Sequence, residues 1–540
     1  MRATTMKNTI SKTQLFLAPM VAMAFAAAAY GATPGITGPT FNLTAVPFFL
    51  NQPDGEAVYS WGYGCTTSPS GYAPAAITTA TCPSSAGLMG QVPGPTLIVT
   101  EGATVTVTLT NGLPSSAGNT SILFPGFAVA TTGGVAGLLT QEAAPASTVT
   151  YTFTASSPGT RAYYSGTQGD LQVEMGLYGA VVVLPKNVPT ACVTGSLRAA
   201  NVAVEKARGE ADFRLADAAY DHPSSCYDRE YLFQFAEMDQ NIHRQAQTQV
   251  AATVGCTAGT NGCSLQVPVE PYHPSYFLIN GRSMPDDMDA NYANVYPHQP
   301  YNGNPHMHPG ELTLIRVIGQ GHWQHPFHEH ANHVRILARD GNLILSQTDP
   351  NSLAGPLQFT TTTTPGLAFD GIFYFTGRGL NWDMYGHNNA DTGVGGSNAA
   401  PSCVADANGY YTVNSTPPAP VTAINYYEWC QDHFKPVQAA PFGDVEGGGP
   451  VTLPDANIFT NGAWYGGTPY LGPDATTRAA GPTSDLQPAN VQANPANERG
   501  FAYMWHSHNE REITTNNVFP GGMLMMMLVD SREFVIDESN

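Results

Sequence analysis

Apolar and polar residues alternate strictly along two short segments of this sequence. Residues 104–110 read TVTVTLT and residues 148–154 read TVTYTFT, so every second side chain is a threonine. Successive side chains of a β-strand point to opposite faces, and this period of two therefore predicts half-buried antiparallel strands. The run GAVVVLP at 179–185 is apolar up to its proline, which predicts a fully buried strand that ends there.

Similar patterns recur along the chain and predict an all-β protein with two sandwich domains. The first domain is expected at residues 40–190, a connector at 191–228 and the second domain at 229–535. Within the second domain, residues 385–497 are rich in Gly, Pro, Asn and Asp without sustained periodicity, which predicts a long loop-rich insertion. The other predicted strands lie at 231–235, 276–279, 312–318, 334–337, 501–505 and 523–529.

The composition favours strands and turns over helices. Charged residues make up only 11% of the 540 residues, whereas glycine (55) and proline (43) are abundant. The formal net charge of -20 argues against nucleic acids and anionic membrane surfaces as partners. Beyond the N-terminal segment, no apolar stretch is long enough to predict a membrane span.

Residues 1–31 have the pattern of a signal peptide. Arg2, Lys7 and Lys12 precede an alanine-rich apolar run, and Ala29 and Gly31 are small enough for a cleavage site. The segment carries no twin arginine, which indicates the general secretion route. We therefore expect a secreted or periplasmic protein.

Eight cysteines fit this location, because an even number in an exported protein favours disulfide bonds over metal ligation. Pairing between sequence neighbours closes short loops and is the connectivity that we expect. The expected pairs are Cys65–Cys82, Cys192–Cys226, Cys256–Cys263 and Cys403–Cys430.

Two pairs of histidines have the spacing of metal ligands on strands. His506 and His508 flank a serine in MWHSHNE, and His328 and His330 flank a glutamate in HWQHPFHEHANH. Residues at i and i+2 of a strand share a face, so four imidazoles would converge if the two strands were neighbours. His325 and Ser507 would then lie together on the opposite face.

The same two motifs resemble the C-terminal copper motifs of the multicopper oxidases, His-Pro-x-His-x-His and His-Cys-His. The segments QVPGPTLIVTEGATVTVTLTNGLP at 91–114 and SPGTRAYYSGTQGDLQVEMGLYGAVVVLP at 157–185 are similar to the opening and the close of that family's first cupredoxin domain. The resemblance covers about 40–190, 229–376 and 496–530. It implies two cupredoxin-like Greek-key β-sandwich domains.

The family's copper set, carried over to this sequence, is incomplete at its N-terminal half. Family members hold a three-copper cluster with eight histidines, four of them from the first domain. The first pair falls on Leu123 and Pro125 in TSILFPG, and the second pair falls on Tyr164 and Gly166 in PGTRAYYSG. The resemblance therefore implies that no complete three-copper cluster forms in this chain.

The type 1 copper set is incomplete as well. Ser507 stands where the family has its cysteine, and a hydroxyl does not replace the soft thiolate that defines a blue copper site. Glu512 stands where the next histidine is expected. Ten extra residues, ITTNNVFPGG, precede Met523, so the sequence predicts that the axial methionine is displaced. We expect no type 1 blue copper.

Half of the family's histidine set remains, and it predicts one bound metal ion. Copper is the expected ion, because it binds most tightly among the divalent ions that imidazoles bind. Its ligands would be His328, His330, His506 and His508, with Glu329, Glu510 and Glu512 as further ligands or as groups that orient them. Such a protein would be a metal-binding protein or a copper-dependent oxidoreductase, acting on a small molecule or a metal ion.

Two alternatives stay open. The cluster could be vestigial, and the chain a metal-free structural or partner-binding scaffold derived from a multicopper oxidase. Another chain could instead supply ligands across an oligomer interface, although the sequence indicates neither a protein partner nor an oligomeric state. A third histidine group, His306-Met-His308, is predicted to be a solvated loop rather than a copper-binding triplet.

Overall fold

The computed structural model describes residues 32–82, 90–193, 206, 209–257, 259–375, 404–419, 430, 468–471, 498–530, 536 and 538. The expected signal peptide at 1–31 and most of the expected insertion at 385–497 lie outside these residues.

The N-terminal half of the described chain forms twelve strands and a few short helical turns. The α-helices are α1 (Gly169–Gln172) and α2 (Thr190–Val193), and a 3-10 turn spans Ser115–Ala117. The strands are β1 (Gly35–Thr37), β2 (Thr40–Asn51), β3 (Ala57–Cys65), β4 (Tyr72–Ala73), β5 (Leu97–Thr100), β6 (Thr104–Asn111), β7 (Ala130–Gly133), β8 (Val135–Ala136), β9 (Gln141–Glu142), β10 (Thr148–Thr154), β11 (Gly159–Tyr164) and β12 (Tyr178–Leu184).

The C-terminal half adds thirteen strands and one longer helix, α3 (Gln240–Ala252), with 3-10 turns at Pro223–Ser225 and Asp286–Met288. The strands are β13 (Arg229–Met238), β14 (Tyr276–Ile279), β15 (His306–Met307), β16 (Leu312–Gly319), β17 (His325–Glu329), β18 (Val334–Arg339), β19 (Asn342–Leu343), β20 (Leu357–Gln358), β21 (Thr360–Thr363), β22 (Ala368–Tyr374), β23 (Thr468–Leu471), β24 (Glu498–Ser507) and β25 (Leu524–Asp530).

Four large sheets pack as two sandwiches. In the first, the sheets β11-β12-β5-β1-β4 and β3-β2-β6-β10-β7 share a core that includes Trp61, Val107 and Tyr151. In the second, the sheet β14-β13-β16-β22-β18-β19 faces the sheet β15-β25-β24-β17-β21 across a core that includes Phe327 and Trp505. The predicted all-β fold of two cupredoxin-like sandwiches is thereby confirmed.

Helix α3 was not predicted from the strand-rich composition. Asp239 precedes it, and its carboxylate accepts a hydrogen bond from the backbone N–H of Asn241 at 2.8 Å, which caps the helix. Ile242 and Ala246, one turn apart, are buried against the first sandwich core. The cap and this i, i+4 pair are the local signals that identify the helix.

Three of the four expected disulfide bonds are present: Cys65–Cys82, Cys192–Cys226 and Cys256–Cys263. Cys430 is also disulfide-bonded, while its expected partner Cys403 lies outside the described residues. Among the described residues, no helix is long and apolar enough to cross a membrane.

Candidate metal centre

Two neighbouring strands carry the histidine pairs. Strand β17 lies antiparallel to β24, and His328 is directly opposite His506 in the register. His330 and His508 each follow the last residue of their strand, Glu329 and Ser507. The sequence places both pairs within strands, whereas the structure places the second member of each pair just beyond a strand end.

The four imidazole rings nevertheless gather at this edge of the sheet. The ring centroid of His328 lies 4.9 Å from that of His330, 5.4 Å from that of His506 and 4.7 Å from that of His508. The centroids of His330 and His506 are 5.3 Å apart. The strand register therefore produces the convergence on which a shared ion would depend.

Three of the four histidines are arranged more tightly than the fourth. His328, His330 and His506 each offer a ring nitrogen, and these atoms all lie within 4.8 Å of one another. Nε2 of His330 is 3.2 Å from Nε2 of His506. Two ligand nitrogens on one tetrahedral zinc-sized ion are separated by about 3.3 Å, as bond lengths near 2.0 Å require. The side chain of His508 is 53% exposed and stands at the open edge.

Hydrogen bonds from the surrounding chain orient two of the rings. Nδ1 of His506 donates to the backbone carbonyl of Ser507 at 2.7 Å, which leaves the lone pair on Nε2. Nδ1 of His328 lies 2.7 Å from Oγ1 of Thr360 on the adjacent strand β21. Such partners fix the ring that a metal would bind. Thr360 sits in a run of threonines that gives no signal of this role in the sequence.

Burial keeps the three inner imidazoles uncharged at neutral pH. Burial, together with the neighbouring histidines, lowers the pKa of His328 to about 4 and the pKa of His330 to about 3. Burial also lowers the pKa of His506. A neutral imidazole is the form that ligates metal, so the donor set is already in its binding state.

His325 and Ser507 lie together on the opposite face, as predicted, with two carboxylates that complete a separate cluster. Nδ1 of His325 is 2.9 Å from Oε2 of Glu512, and Nε2 is 2.9 Å from Oε2 of Glu237. Ser507 donates from Oγ to the same oxygen of Glu512 at 2.5 Å. All four side chains are buried. This is an ion-pair cluster, and it stands at the position that the resemblance assigns to type 1 copper.

The protonation of His325 follows from its two partners. Burial alone lowers the pKa of this histidine, but hydrogen bonds to Glu237 and Glu512 outweigh burial and raise it to about 9. His325 is therefore an imidazolium at neutral pH. Glu237 went unnoticed in the sequence, where it is one of two carboxylates in REYLFQFAEM, the segment that forms the fully buried strand β13.

The glutamates near the histidines have different positions. Glu329 points away from the ring cluster and accepts a hydrogen bond from Oγ1 of Thr361 at 3.0 Å, and burial raises its pKa well above the usual value. Glu512 belongs to the His325 cluster. Of these three glutamates, only Glu510 lies at the edge of the four rings. Its side chain is 79% exposed, and its Oε1 is 4.0 Å from Nδ1 of His508.

The main chain of Met523 is hydrogen-bonded to the main chains of Ser507 and Glu512. The backbone N–H of Ser507 donates to the carbonyl of Met523 at 2.9 Å, and the N–H of Met523 donates to the carbonyl of Glu512 at 2.8 Å. The ten extra residues thus form a loop between Glu512 and Met523. The displacement of the axial methionine stays a prediction.

The prediction for His306 and His308 was wrong, because both side chains are fully buried. His306 begins strand β15, the edge strand that pairs with β25. Glu210, His308 and Glu311 also bring one potential ligand atom each within 4.8 Å. The guanidinium of Arg229 bonds to both glutamates, however, and donates from Nε to Glu311 at 2.7 Å. A cation is therefore already paired with both carboxylates of this cluster.

In the first sandwich, three positions that the resemblance assigns to histidine ligands also meet. Leu123 and Tyr164 are bridged by backbone hydrogen bonds, and a Cβ added to Gly166 would lie 2.8 Å from Leu123. Aliphatic and glycine positions cannot ligate a metal. Leu123 and Gly166 pack closely and offer no ligand atom from a side chain.

Comparison with known proteins matches residues 72–188 to a multicopper oxidase family domain. No curated protein sequence matches the chain. Solved structures with a similar fold include the multicopper oxidase mgLAC, at 14% identity, covering 92% of this chain and 88% of that chain with a TM-score of 0.42.

Two other solved structures come from Nitrosomonas europaea. A blue copper oxidase shares 13% identity over 90% of this chain and 85% of that chain, with a TM-score of 0.42. A copper nitrite reductase shares 18% identity over 63% and 85% of the two chains, with a TM-score of 0.37. Residues 72–188 are therefore similar to a domain of the multicopper oxidase family.

Proposed function

We propose that this protein binds one copper ion through His328, His330 and His506, with His508 completing the set at its open edge. The observation that carries this proposal is the convergence of three neutral imidazole nitrogens within 4.8 Å. Imidazole is a good ligand for copper, nickel, iron and zinc, and divalent copper binds most tightly in that series.

The other two histidine clusters support the choice of site. His325 is held between two carboxylates as a cation, and the glutamates beside His308 are already paired with Arg229. The cluster at His328 is different, because its pKa values are lowered rather than raised. Of the three clusters, this one would be stabilised most by a bound positive ion, because its nitrogen lone pairs are held close together.

Copper held by histidines exchanges one electron between its two common oxidation states. The protein's own residues would orient the rings through Thr360 and the Ser507 carbonyl and keep water from the inner side. The exposed side of His508 leaves an approach for a small molecule or a metal ion. The proposed role is accordingly an exported copper-binding protein, with copper-dependent oxidoreduction as its activity class.

The second candidate function is a metal-free scaffold that binds a partner. The feature that favours it is the replacement of copper ligands by packed or paired groups at Leu123, Gly166 and Ser507. In that case the four histidines would contribute only packing and hydrogen bonds. The two functions differ in metal content.

The test is elemental analysis after dialysis of the exported protein against excess divalent copper. We expect one copper per chain in the wild type and none in the double variant His506→Ala with His508→Ala. His333→Ala is the matched control, because His333 lies near the cluster but packs against Phe359. Full copper content in the double variant would overturn the proposed site, and copper-free wild type would favour the scaffold.

A further inference from the structure

A cavity of about 440 Å³ opens between the two sandwiches. The first sandwich contributes Leu123, Leu139, Tyr164 and Val173 to its walls, and the second contributes His322 and Pro365. Its volume lies within the range of small-molecule sites, and its walls are mostly apolar. None of the proposed copper ligands lines it.

A tight turn between β8 and β9 forms one lip of this cavity. The N–H of Gly137 donates to the carbonyl of Thr140 at 3.0 Å, so Leu138 and Leu139 occupy the two central positions. These positions usually hold Gly, Asn, Asp or Pro. Leu138 is 93% exposed and Leu139 is 64% exposed. The turn itself gives no reason for leucine at both of its central positions. A bound apolar ligand would cover the exposed side chain of Leu139.

The wall also contains open space at a glycine. Gly169 lines the cavity at the start of α1, and a Cβ added there would meet no heavy atom within 4 Å. Gly166 is different, since a Cβ there would collide with Leu123. Gly169 is therefore a position from which a larger side chain can fill the cavity without disturbing the fold.

The charge of the walls selects among ligands. Asp170 places a carboxylate at the cavity, and the lining includes neither lysine nor arginine. Two buried acids lie beside His322: Glu174 is 3.7 Å from its Nε2, and Glu237 accepts a hydrogen bond from its backbone N–H at 2.6 Å. The whole chain carries a formal net charge of -20. These charges disfavour an anion and favour a cation.

We propose that this cavity binds a small aromatic cation. Its ring would contact Leu123, Leu139 and Val173, and its positive group would lie near Asp170. The ring of Tyr164 adds a face that attracts a cation. This inference is independent of the copper proposal, because it uses a different set of residues.

The test uses 9-aminoacridine as a fluorescent cationic probe and anilinonaphthalene sulfonate as an anionic aromatic probe. We expect saturable binding of the first probe at one site per chain and at least tenfold weaker binding of the second. The variants Leu139→Arg and Gly169→Leu should each weaken binding of 9-aminoacridine by a factor on the order of 10. Asp170→Asn should weaken it less, and Leu357→Arg, at an exposed leucine outside the cavity, should leave it unchanged.

Equal binding of both probes, or binding that is unaffected by Leu139→Arg and Gly169→Leu, would overturn the proposal. Concentration-dependent self-association that is lost on Leu138→Ser, with no saturable probe site, would instead identify the turn as a protein contact. The double variant His506→Ala with His508→Ala should retain wild-type probe binding. Failure of the copper site and failure of the cavity site are thus distinguished in the same experiment.

Discussion

Oε2 of Glu512 lies 2.9 Å from Nδ1 of His325 and accepts the hydroxyl of Ser507 at 2.5 Å. One carboxylate oxygen therefore joins a charged imidazole to the residue between His506 and His508. A thiolate at position 507 would place a second negative group beside Glu512. The serine fits this place because it donates a hydrogen bond that the carboxylate needs.

The pair between His325 and Glu512 is expected to stabilise the fold. Glu512→Gln leaves the buried imidazolium with one carboxylate partner, and breaking a buried pair costs roughly 3–5 kcal/mol. Urea unfolding at neutral pH measures the loss. Glu510→Gln is the matched control, because its side chain is 79% exposed and should change stability little. Equal stability of the Glu512 and Glu510 variants would contradict the account of this cluster.

The same histidine predicts a pH dependence. The pKa of His325 is raised from 6.5 to about 9, so the folded state holds its proton more tightly than the unfolded state. Its contribution to stability is complete below about pH 6.5 and is lost as the pH rises through 9. Unfolding free energies from pH 6 to pH 10 should fall for the wild type and fall less for His325→Gln. Parallel profiles for the two proteins would contradict this assignment.

Sequence patterns were sufficient where neighbours along the chain determine the structure. Alternation at 148–154 corresponds to β10 residue for residue, and the spacing of His328, His330, His506 and His508 predicts their shared face. Partners that are distant in sequence could not be identified in this way. Thr360 reaches His328 from another strand of the same sheet.

The other differences between the sequence-based predictions and the structure concern buried polar residues. Glu237 is 88 residues away from His325 in sequence, and only the packing of β13 against the other sheet brings them together. The sequence predicts a loop at His306 because it shortly precedes Pro309 and Gly310 at the start of a strand. Its burial depends instead on pairing between the two-residue strand β15 and β25. A strand of two residues is too short to show an alternation of apolar and polar positions, so its burial cannot be predicted from the sequence.

Copper-loaded protein is expected to show no intense blue absorption. That band requires a copper–thiolate bond, and Ser507 supplies a hydroxyl. Ser507→Cys alone should still give a weak, tetragonal type of spectrum, because Glu512 stands in place of the second imidazole. Visible absorption of both proteins after copper loading is the measurement. An intense band in the wild type would overturn the assignment at Ser507.

Oxygen consumption with a phenolic reductant and excess copper should be absent in both proteins. Four of the eight positions that hold the three-copper cluster in the family are Leu123, Pro125, Tyr164 and Gly166 here. Sustained turnover by the wild type, lost on His328→Ala, would show that the histidine cluster suffices for catalysis with dioxygen.

All eight cysteines are expected to form disulfide bonds. Three pairs are bonded, and Cys430 is bonded as well. Thiol titration of denatured, unreduced protein should therefore find essentially no free thiol. The same titration after reduction is the control and should find eight. Two or more free thiols before reduction would contradict the disulfide framework.

The central claim is that imidazoles of this cluster hold one copper. Pulsed electron paramagnetic resonance of protein loaded with one equivalent of divalent copper tests it most directly, since it detects the remote nitrogens of bound imidazoles. We predict at least three equivalent histidine couplings in the wild type, one fewer in His330→Ala, and no change in His333→Ala. A signal with no imidazole coupling, or one that is unchanged in His330→Ala, would contradict the claim.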